Sequence, residues 1–115
     1  MNRHLRILMT DTDVTKQLLQ NIEQELKRLN IWENSPPSVE ALQSANPFCY
    51  DTLEVHQWLQ WVFIPRIRAL LDAGQPLPEQ CDIASYAEVM YEKISEDRNQ
   101  LIQYIRAFDR YCTKK

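Results

Sequence analysis

The sequence predicts an all-α protein, a compact four-helix domain around a proline-kinked central helix at about 52–72, with a short extra helix near 38–44. Three observations predict this class. The 115 residues include one glycine, which leaves little room for the tight hairpin turns of a β-sandwich. Apolar residues recur every three or four positions through most of the chain. No segment alternates apolar and polar residues as a half-buried strand does.

The length predicts one domain with one hydrophobic core. We expect this domain to span residues 11–115, because the regular helical pattern begins only after Met9. Residues 1–10 are predicted to form a loose N-terminal arm, and Met1 and Met9 are both candidate starts. No apolar run approaches the length of a membrane span or a secretory signal, so the sequence predicts a cytoplasmic protein.

The first helix is predicted from about residue 13 to residue 30. Its apolar face consists of five residues at helical spacing, namely Val14, Leu18, Ile22, Leu26 and Leu29. Asp11, Thr12 or Asp13 can cap its start. The connection that follows, "IWENSPPSVEALQSANPF", is broken by two prolines, and Ser38 can cap a short helix within it.

The central helix follows the stretch "DTLE". Asp51 is its predicted N-cap, and Glu54 stands where a capping box needs its acid. Gly74 is predicted to end the helix in the left-handed conformation. Pro65 cannot donate to the carbonyl of Trp61, so we expect a kink there.

Two further helices are predicted at about 83–93 and 96–112. The inward residues of the first are Tyr86, Ala87, Met90 and Ile94. The apolar stripe of the second consists of Leu101, Ile102, Ile105, Phe108 and Cys112.

On a helical wheel at about 100° per residue, the central helix is apolar around most of its circumference. Its polar wedge is narrow and holds Glu54, Gln57, Arg68 and Asp72. Such a helix is expected to be surrounded by other elements. Trp61 lies inside the polar wedge with Trp58 and Pro65 beside it, whereas Arg66 and Gln60 fall among apolar residues.

These positions leave alternatives open. Trp58, Trp61 and Pro65 either form a contact patch for a partner or cover the connection at 31–48, and the covering role is the more common one for such residues. A buried Arg66 needs a partner, either helix carbonyls or a carboxylate that Asp51, Glu40 or Asp82 can supply. As a sharper hypothesis, Arg66 and Gln60 fix a small ligand or anion in a pocket beside Pro65.

No catalytic or metal-binding constellation is apparent. The chain has two histidines, His4 and His56, and three widely spaced cysteines without a CxxC pair, namely Cys49, Cys81 and Cys112. We therefore expect a non-enzymatic protein with no cofactor and no metal.

The charge balance bears on nucleic-acid binding. The net charge is −3 and the pI about 5.3, whereas a nucleic-acid binder normally carries a basic excess. The basic residues of the last helix, Arg98, Arg106, Arg110, Lys114 and Lys115, are interleaved with acids. Direct RNA binding through them is an alternative hypothesis that the charge does not favour.

The stretch "NPFCYDTLEVHQWLQWVFIPRIRALLDAGQPLP" closely resembles the signature of the YqcC-like family of small bacterial proteins. The matching elements are Pro47-Phe48, Asp51-Thr52, Trp58-Leu59-Gln60-Trp61, Ile64-Pro65-Arg66 and Pro76-Leu77-Pro78. The resemblance covers about residues 13–112 and implies a compact all-helical domain without known catalytic residues. Members of the family are encoded beside a tRNA pseudouridine synthase, which implies an accessory role in tRNA modification with that enzyme as partner.

The function predicted from all of this is a non-enzymatic accessory or protein-binding module. The candidate contact residues are Trp58, Gln60, Trp61, Pro65 and Arg66. A homodimer across an exposed aromatic stripe is also feasible.

Overall fold

The computed structural model describes residues 10–114 of the chain. Its helices are α1 (Asp11–Arg28), α2 (Val39–Leu42), α3 (Val55–Trp58), α4 (Ile64–Asp72), α5 (Ile83–Tyr91) and α6 (Asn99–Lys114). A 3₁₀ turn (Pro47–Cys49) precedes α3, and a π turn (Leu59–Phe63) joins α3 to α4. No strand occurs in the described range, and the predicted all-α class is confirmed. None of these helices is long and apolar enough to cross a membrane.

The start of α1 lies earlier than the sequence predicted. Thr10 is the N-cap, and its hydroxyl accepts a 3.0 Å hydrogen bond from the backbone of Asp13. The Asp13 carboxylate accepts a 3.3 Å bond from the Thr10 backbone, which completes a capping box. The expectation that residues 11–13 supply the cap was therefore wrong, and Thr10 belongs to the helix end. The remainder of the predicted arm, residues 1–9, lies outside the described residues.

The N-cap of α3 is Glu54, so the prediction of Asp51 was wrong. The Leu53 N–H donates to the carbonyl of Cys49 at 2.8 Å, and the Glu54 N–H donates to the side chain of Gln57 at 2.9 Å. An N-cap at Asp51 would have to accept from the N–H of Leu53 or Glu54, and both groups already have other acceptors. Asp51 instead accepts a 2.6 Å hydrogen bond from the Ser44 hydroxyl.

Gly74 ends α4 at the position that the sequence indicated. Its φ of 68° lies in the left-handed region. The Gly74 N–H donates to the Leu71 carbonyl at 3.1 Å, and the Gln75 N–H donates to the Leu70 carbonyl at 2.9 Å. Together these bonds form a Schellman motif.

The π turn changes which residues of the central segment face inward. The Ile64 N–H donates to the Leu59 carbonyl, five residues back, immediately before Pro65. The extra residue in this turn rotates every later side chain by about 100° relative to a continuous α-helix. Arg66 consequently lies in solvent and Ile67 takes the buried position. The prediction of a buried Arg66 was wrong, and its need for an internal carboxylate disappears.

The core lies between α1, α5, α6 and the inner side of the central segment. α6 packs against both α1 and α5, and its stripe of Leu101, Ile105, Phe108 and Cys112 is fully buried. α4 buries Ile64 and Ile67 but exposes its opposite face. The helical wheel predicted that other elements surround the whole central segment. This prediction was wrong for its second half, because one face of α4 is exposed.

α5 and α6 are separated by a longer connection than expected. α5 ends at Tyr91 and α6 begins at Asn99, so residues 92–98 are not helical. Met90 was predicted to point inward but is exposed.

Candidate interaction site

Gln60 fastens the connection between α1 and α2 to the central segment. Its side-chain oxygen accepts a 2.8 Å hydrogen bond from the Glu33 backbone N–H. Its side-chain nitrogen donates a 2.7 Å bond to the Glu33 carbonyl. Gln60 is only 5% exposed, and its amide pairs with both backbone groups of Glu33, the N–H and the carbonyl. The amide has a structural role and is not free to hold a ligand.

The carboxylate of Glu33 is held by three further side chains. Trp61 Nε1 donates to Oε1 at 3.1 Å, and Gln57 Nε2 donates to Oε2 at 3.1 Å. His56 Nε2 lies 3.7 Å from Oε2. This bond explains why Trp61 lies among the polar residues of the central segment. Its indole N–H donates to the carboxylate of Glu33, which belongs to the connection between α1 and α2.

Trp58 is a core residue. It is 7% exposed, its ring stacks on Phe63 with centroids 5.4 Å apart, and it meets Phe48 edge-on at 5.0 Å. Contacts of this kind stabilise a core beyond the area they bury. Trp58 and Gln60 therefore offer no surface to a partner in this conformation.

The three other candidate contact residues do reach the surface. Trp61 is half-buried, whereas Pro65 and Arg66 are exposed. After the rotation at the π turn they share the outer face of the central segment with Ala69, which is also exposed. Trp61, Pro65 and Arg66 thus remain candidates for a contact surface.

A ligand pocket between Arg66 and Gln60 does not fit this geometry. Gln60 is directed at the Glu33 backbone and Arg66 at solvent. Clefts lie elsewhere, for example one of about 680 Å³ lined by Asp11, Gly74 and Cys112.

Metal or thiol chemistry finds little support in the arrangement of side chains. Among residues 10–114, no group of three or more His, Cys, Asp and Glu side chains is placed to hold a metal ion. The imidazole of His56 faces Glu33, and Cys49 is buried in the core. Cys81 and Cys112 hydrogen-bond to each other, which lowers the pKa of Cys81.

Exposed apolar side chains form a second surface, which the sequence did not predict. Tyr50 is 52% exposed, Val89 63% and Met90 41%. Tyr50 and Met90 line one cleft of about 370 Å³, together with Asp51 and Glu54. Large apolar side chains gathered beside a cleft are typical of a protein contact surface.

The turn before α3 directs Tyr50 outward. Phe48 and Cys49 are consecutive residues with positive φ, at 58° and 50°. Such conformations cost about 1–3 kcal/mol each and persist where the surroundings hold them. Phe48 is held between Trp58 and Tyr86, on whose ring it stacks at 4.3 Å. The strained turn packs the half-buried Phe48 against the core and leaves Tyr50 in solvent.

Carboxylates surround this surface. The hydrogen bond from the Ser44 hydroxyl lowers the pKa of Asp51. An adjoining cleft of about 780 Å³ shares Tyr91 and Ile94 with the first. Its acidic lining residues are Glu88, Glu92, Glu96 and Asp97, and its basic lining residue is Arg98. The surface therefore combines exposed apolar side chains with several carboxylates.

The chain is similar to a described family and to several known proteins. The model of the DUF446 family, described as tRNA pseudouridine synthase C, matches residues 14–111. An uncharacterised protein of Haemophilus influenzae is 43% identical over 82 residues, which is 71% of this chain and 77% of that protein. The uncharacterised protein YqcC of Escherichia coli is 42% identical over 81 residues, 70% of this chain and 74% of that protein.

A longer relative carries a different name. A protein of Pectobacterium carotovorum named tRNA pseudouridine synthase C is 43% identical over 70 residues. The match covers 61% of this chain but only 19% of that protein.

The fold has been seen experimentally in a related protein. The solution NMR structure of YqcC from E. coli superposes with a TM-score of 0.80 at 34% identity, covering 91% of this chain and 90% of that one. The similarity extends over both sequence and fold, and the chain belongs to the YqcC-like family, DUF446.

Proposed function

We propose that this chain is a non-enzymatic accessory protein that acts by binding a tRNA pseudouridine synthase. The Pectobacterium relative carries the proposal, because a segment like this chain occupies about a fifth of a longer protein with that name. Joining two domains in one chain keeps them at high effective concentration. When the same domain is a separate chain, it needs a surface that binds the enzyme.

The structure offers surfaces of the right kind. Tyr50 and Met90 are of residue types enriched at protein interfaces, and both border the same cleft. The outer face with Trp61, Pro65 and Arg66 is a second surface that a partner can contact. Neither surface brings together a nucleophile, a general base and an orienting group, so binding is better supported than catalysis.

Direct RNA binding is less well supported. Affinity for RNA depends largely on neutralising phosphates, and the chain has a net charge of −3. Arg106, one of the basic residues considered for this role, forms a 2.8 Å ion pair with Glu88. The proposal therefore assigns contact with tRNA to the partner enzyme.

Calorimetric titration tests the proposal. The purified chain is titrated into the tRNA pseudouridine synthase C of the same bacterium and, separately, into tRNA. We expect a saturable complex with the enzyme at about micromolar Kd and no comparable heat with tRNA. A different pseudouridine synthase serves as the control for specificity.

The chain alone is measured first by sedimentation, because a homodimer through the same apolar side chains would compete with the enzyme. The proposal is wrong if the enzyme shows no complex at about 100 µM, or if tRNA alone binds more tightly than the enzyme does.

A further inference from the structure

We infer that the cleft bordered by Tyr50 and Met90 receives a basic, amphipathic segment of the partner protein. We name it the Tyr50–Met90 cleft; its lining includes Asp51, Glu54, Gln57 and Ile94. This inference rests on the proposed accessory role and adds the binding surface and the chemistry of the occupant.

A second cleft borders the Tyr50–Met90 cleft, and we call the two together the groove. Their volumes are about 370 and 780 Å³, and Tyr91 and Ile94 line both. Exposed Val89 lines the second cleft and is the chain neighbour of Met90. A groove of this form suits a row of side chains from one extended or helical segment.

Tyr50 and Met90 select for apolar side chains on the occupant. Tyr50 presents a large and rigid ring, and tyrosine is enriched among residues that dominate binding energy. The flexible, polarisable thioether of Met90 adapts to varied apolar partners. An apolar face on the occupant is therefore required.

The acidic residues of the groove select for positive charge. Six carboxylates line the two clefts, namely those of Asp51, Glu54, Glu88, Glu92, Glu96 and Asp97, together with one arginine, Arg98. Glu88 is already paired with Arg106 at 2.8 Å, and the other five carboxylates outnumber Arg98, so the groove is negative. This field repels the phosphates of RNA and attracts Lys and Arg. An enzyme that binds tRNA must carry basic segments, so its surface provides a complementary occupant.

The surface is also held in place before binding. Phe48 lies between Trp58 and Tyr86, and the two left-handed residues, Phe48 and Cys49, fix the path of the chain into Tyr50. A preformed surface loses less conformational freedom when a partner binds. The strain in this turn thus has a role in recognition.

Fluorescence anisotropy with a defined probe tests the chemistry of the cleft. The probe is a labelled helical peptide of about 18 residues with leucine on one face and lysine on the other, a type of ligand that binds in grooves. The control peptide replaces every lysine with glutamate. Tyr50→Ala and Met90→Ser each remove an exposed apolar side chain. The double variant Glu92→Lys with Glu96→Lys reverses the charge of two carboxylates.

Matched control variants lie outside both clefts. Val39→Ser removes an apolar side chain that is 65% exposed, and Glu79→Lys reverses a charge beside the cleft lined by Asp11 and Cys112. All altered side chains are exposed, so thermal unfolding is expected to be unchanged.

We expect the lysine peptide to bind the wild type and to bind each cleft variant about tenfold more weakly. Binding should weaken as salt rises, and the two control variants should match the wild type. The inference is overturned if the glutamate peptide binds as well as the lysine peptide, or if the control variants weaken binding as much as the cleft variants.

The same variants are then titrated against the synthase, which separates the two proposals. If the synthase binds the wild type and the cleft variants equally, the cleft assignment is wrong and the accessory role stands. If the synthase does not bind the wild type, the accessory role is wrong whatever the peptide shows.

Discussion

Replacing Gln60 tests the hydrogen bonds that hold the α1–α2 connection to the central segment. Gln60→Leu keeps a side chain of similar size but removes both bonds to the Glu33 backbone, at 2.8 and 2.7 Å. The Glu33 N–H and carbonyl then lose their partners. Each unsatisfied buried group costs about 1–3 kcal/mol.

The expected loss of unfolding free energy is about 2–3 kcal/mol. This value is near the lower end for two groups, because the Glu33 side chain is 31% exposed and water can reach its surroundings. For a domain of this size the corresponding decrease in Tm is about 10 °C. The additional apolar surface of leucine offsets only part of the loss.

Urea unfolding followed by far-UV circular dichroism measures this difference, and Gln103→Leu, at an exposed position of α6, is the matched control. Gln103→Leu should change the unfolding free energy by less than about 0.5 kcal/mol. A loss for Gln60→Leu that is no larger than that of the control would refute the role assigned to the Gln60 amide.

Three further predictions concern single side chains. Arg66→Ala should change the free energy of unfolding by less than about 0.5 kcal/mol, because Arg66 is exposed; a loss near 3 kcal/mol would mean that it is buried after all. Gly74→Ala should cost about 1 kcal/mol in urea unfolding, because the φ of 68° disfavours a side chain although no atom blocks the Cβ. Burial raises the pKa of Asp109, whose ionised form is thus disfavoured in the folded state, so the contribution of Asp109 to stability falls as pH rises through its folded pKa. Asp109→Asn keeps an acceptor for the Ala84 N–H, and its unfolding free energy relative to wild type should increase between acidic and neutral pH; a pH-independent difference would contradict this.

The helices themselves were readable from the sequence because each buries an amphipathic stripe. Periodicity predicted most of the buried stripe of α6, and the residue type predicted the left-handed stop at Gly74. For α1, periodicity predicted the buried Ile22 and Leu26 but missed the buried Leu19. The ends were less accurate, since several polar residues in a row compete for one cap. Thr10 rather than Asp11 caps α1, for example.

The register of the central segment was not readable in the same way. A wheel assumes one constant rotation per residue, and the π turn at Leu59–Phe63 adds one residue that the wheel does not count. Pro65 indicated a disturbance of the helix, but not that a π turn precedes it. This single difference moved Arg66 from the core to the solvent.

The partners of Gln60 and the exposure of Tyr50 depend on long-range contacts. Gln60 binds Glu33 across 27 residues of sequence, and no local pattern specifies that pairing. The left-handed φ of Phe48 is imposed by packing against Trp58 and Tyr86, since a bulky residue does not prefer it. Both features became visible only with the folded chain.

Hydrogen–deuterium exchange tests most directly whether the chain binds a tRNA pseudouridine synthase through the Tyr50–Met90 cleft. The backbone amides of the chain are compared with and without a saturating amount of the synthase. We expect slower exchange at residues 47–57 and 86–98 in the complex, with little change at residues 64–72. Protection confined to residues 61–70, or no protection anywhere in the chain, would contradict it.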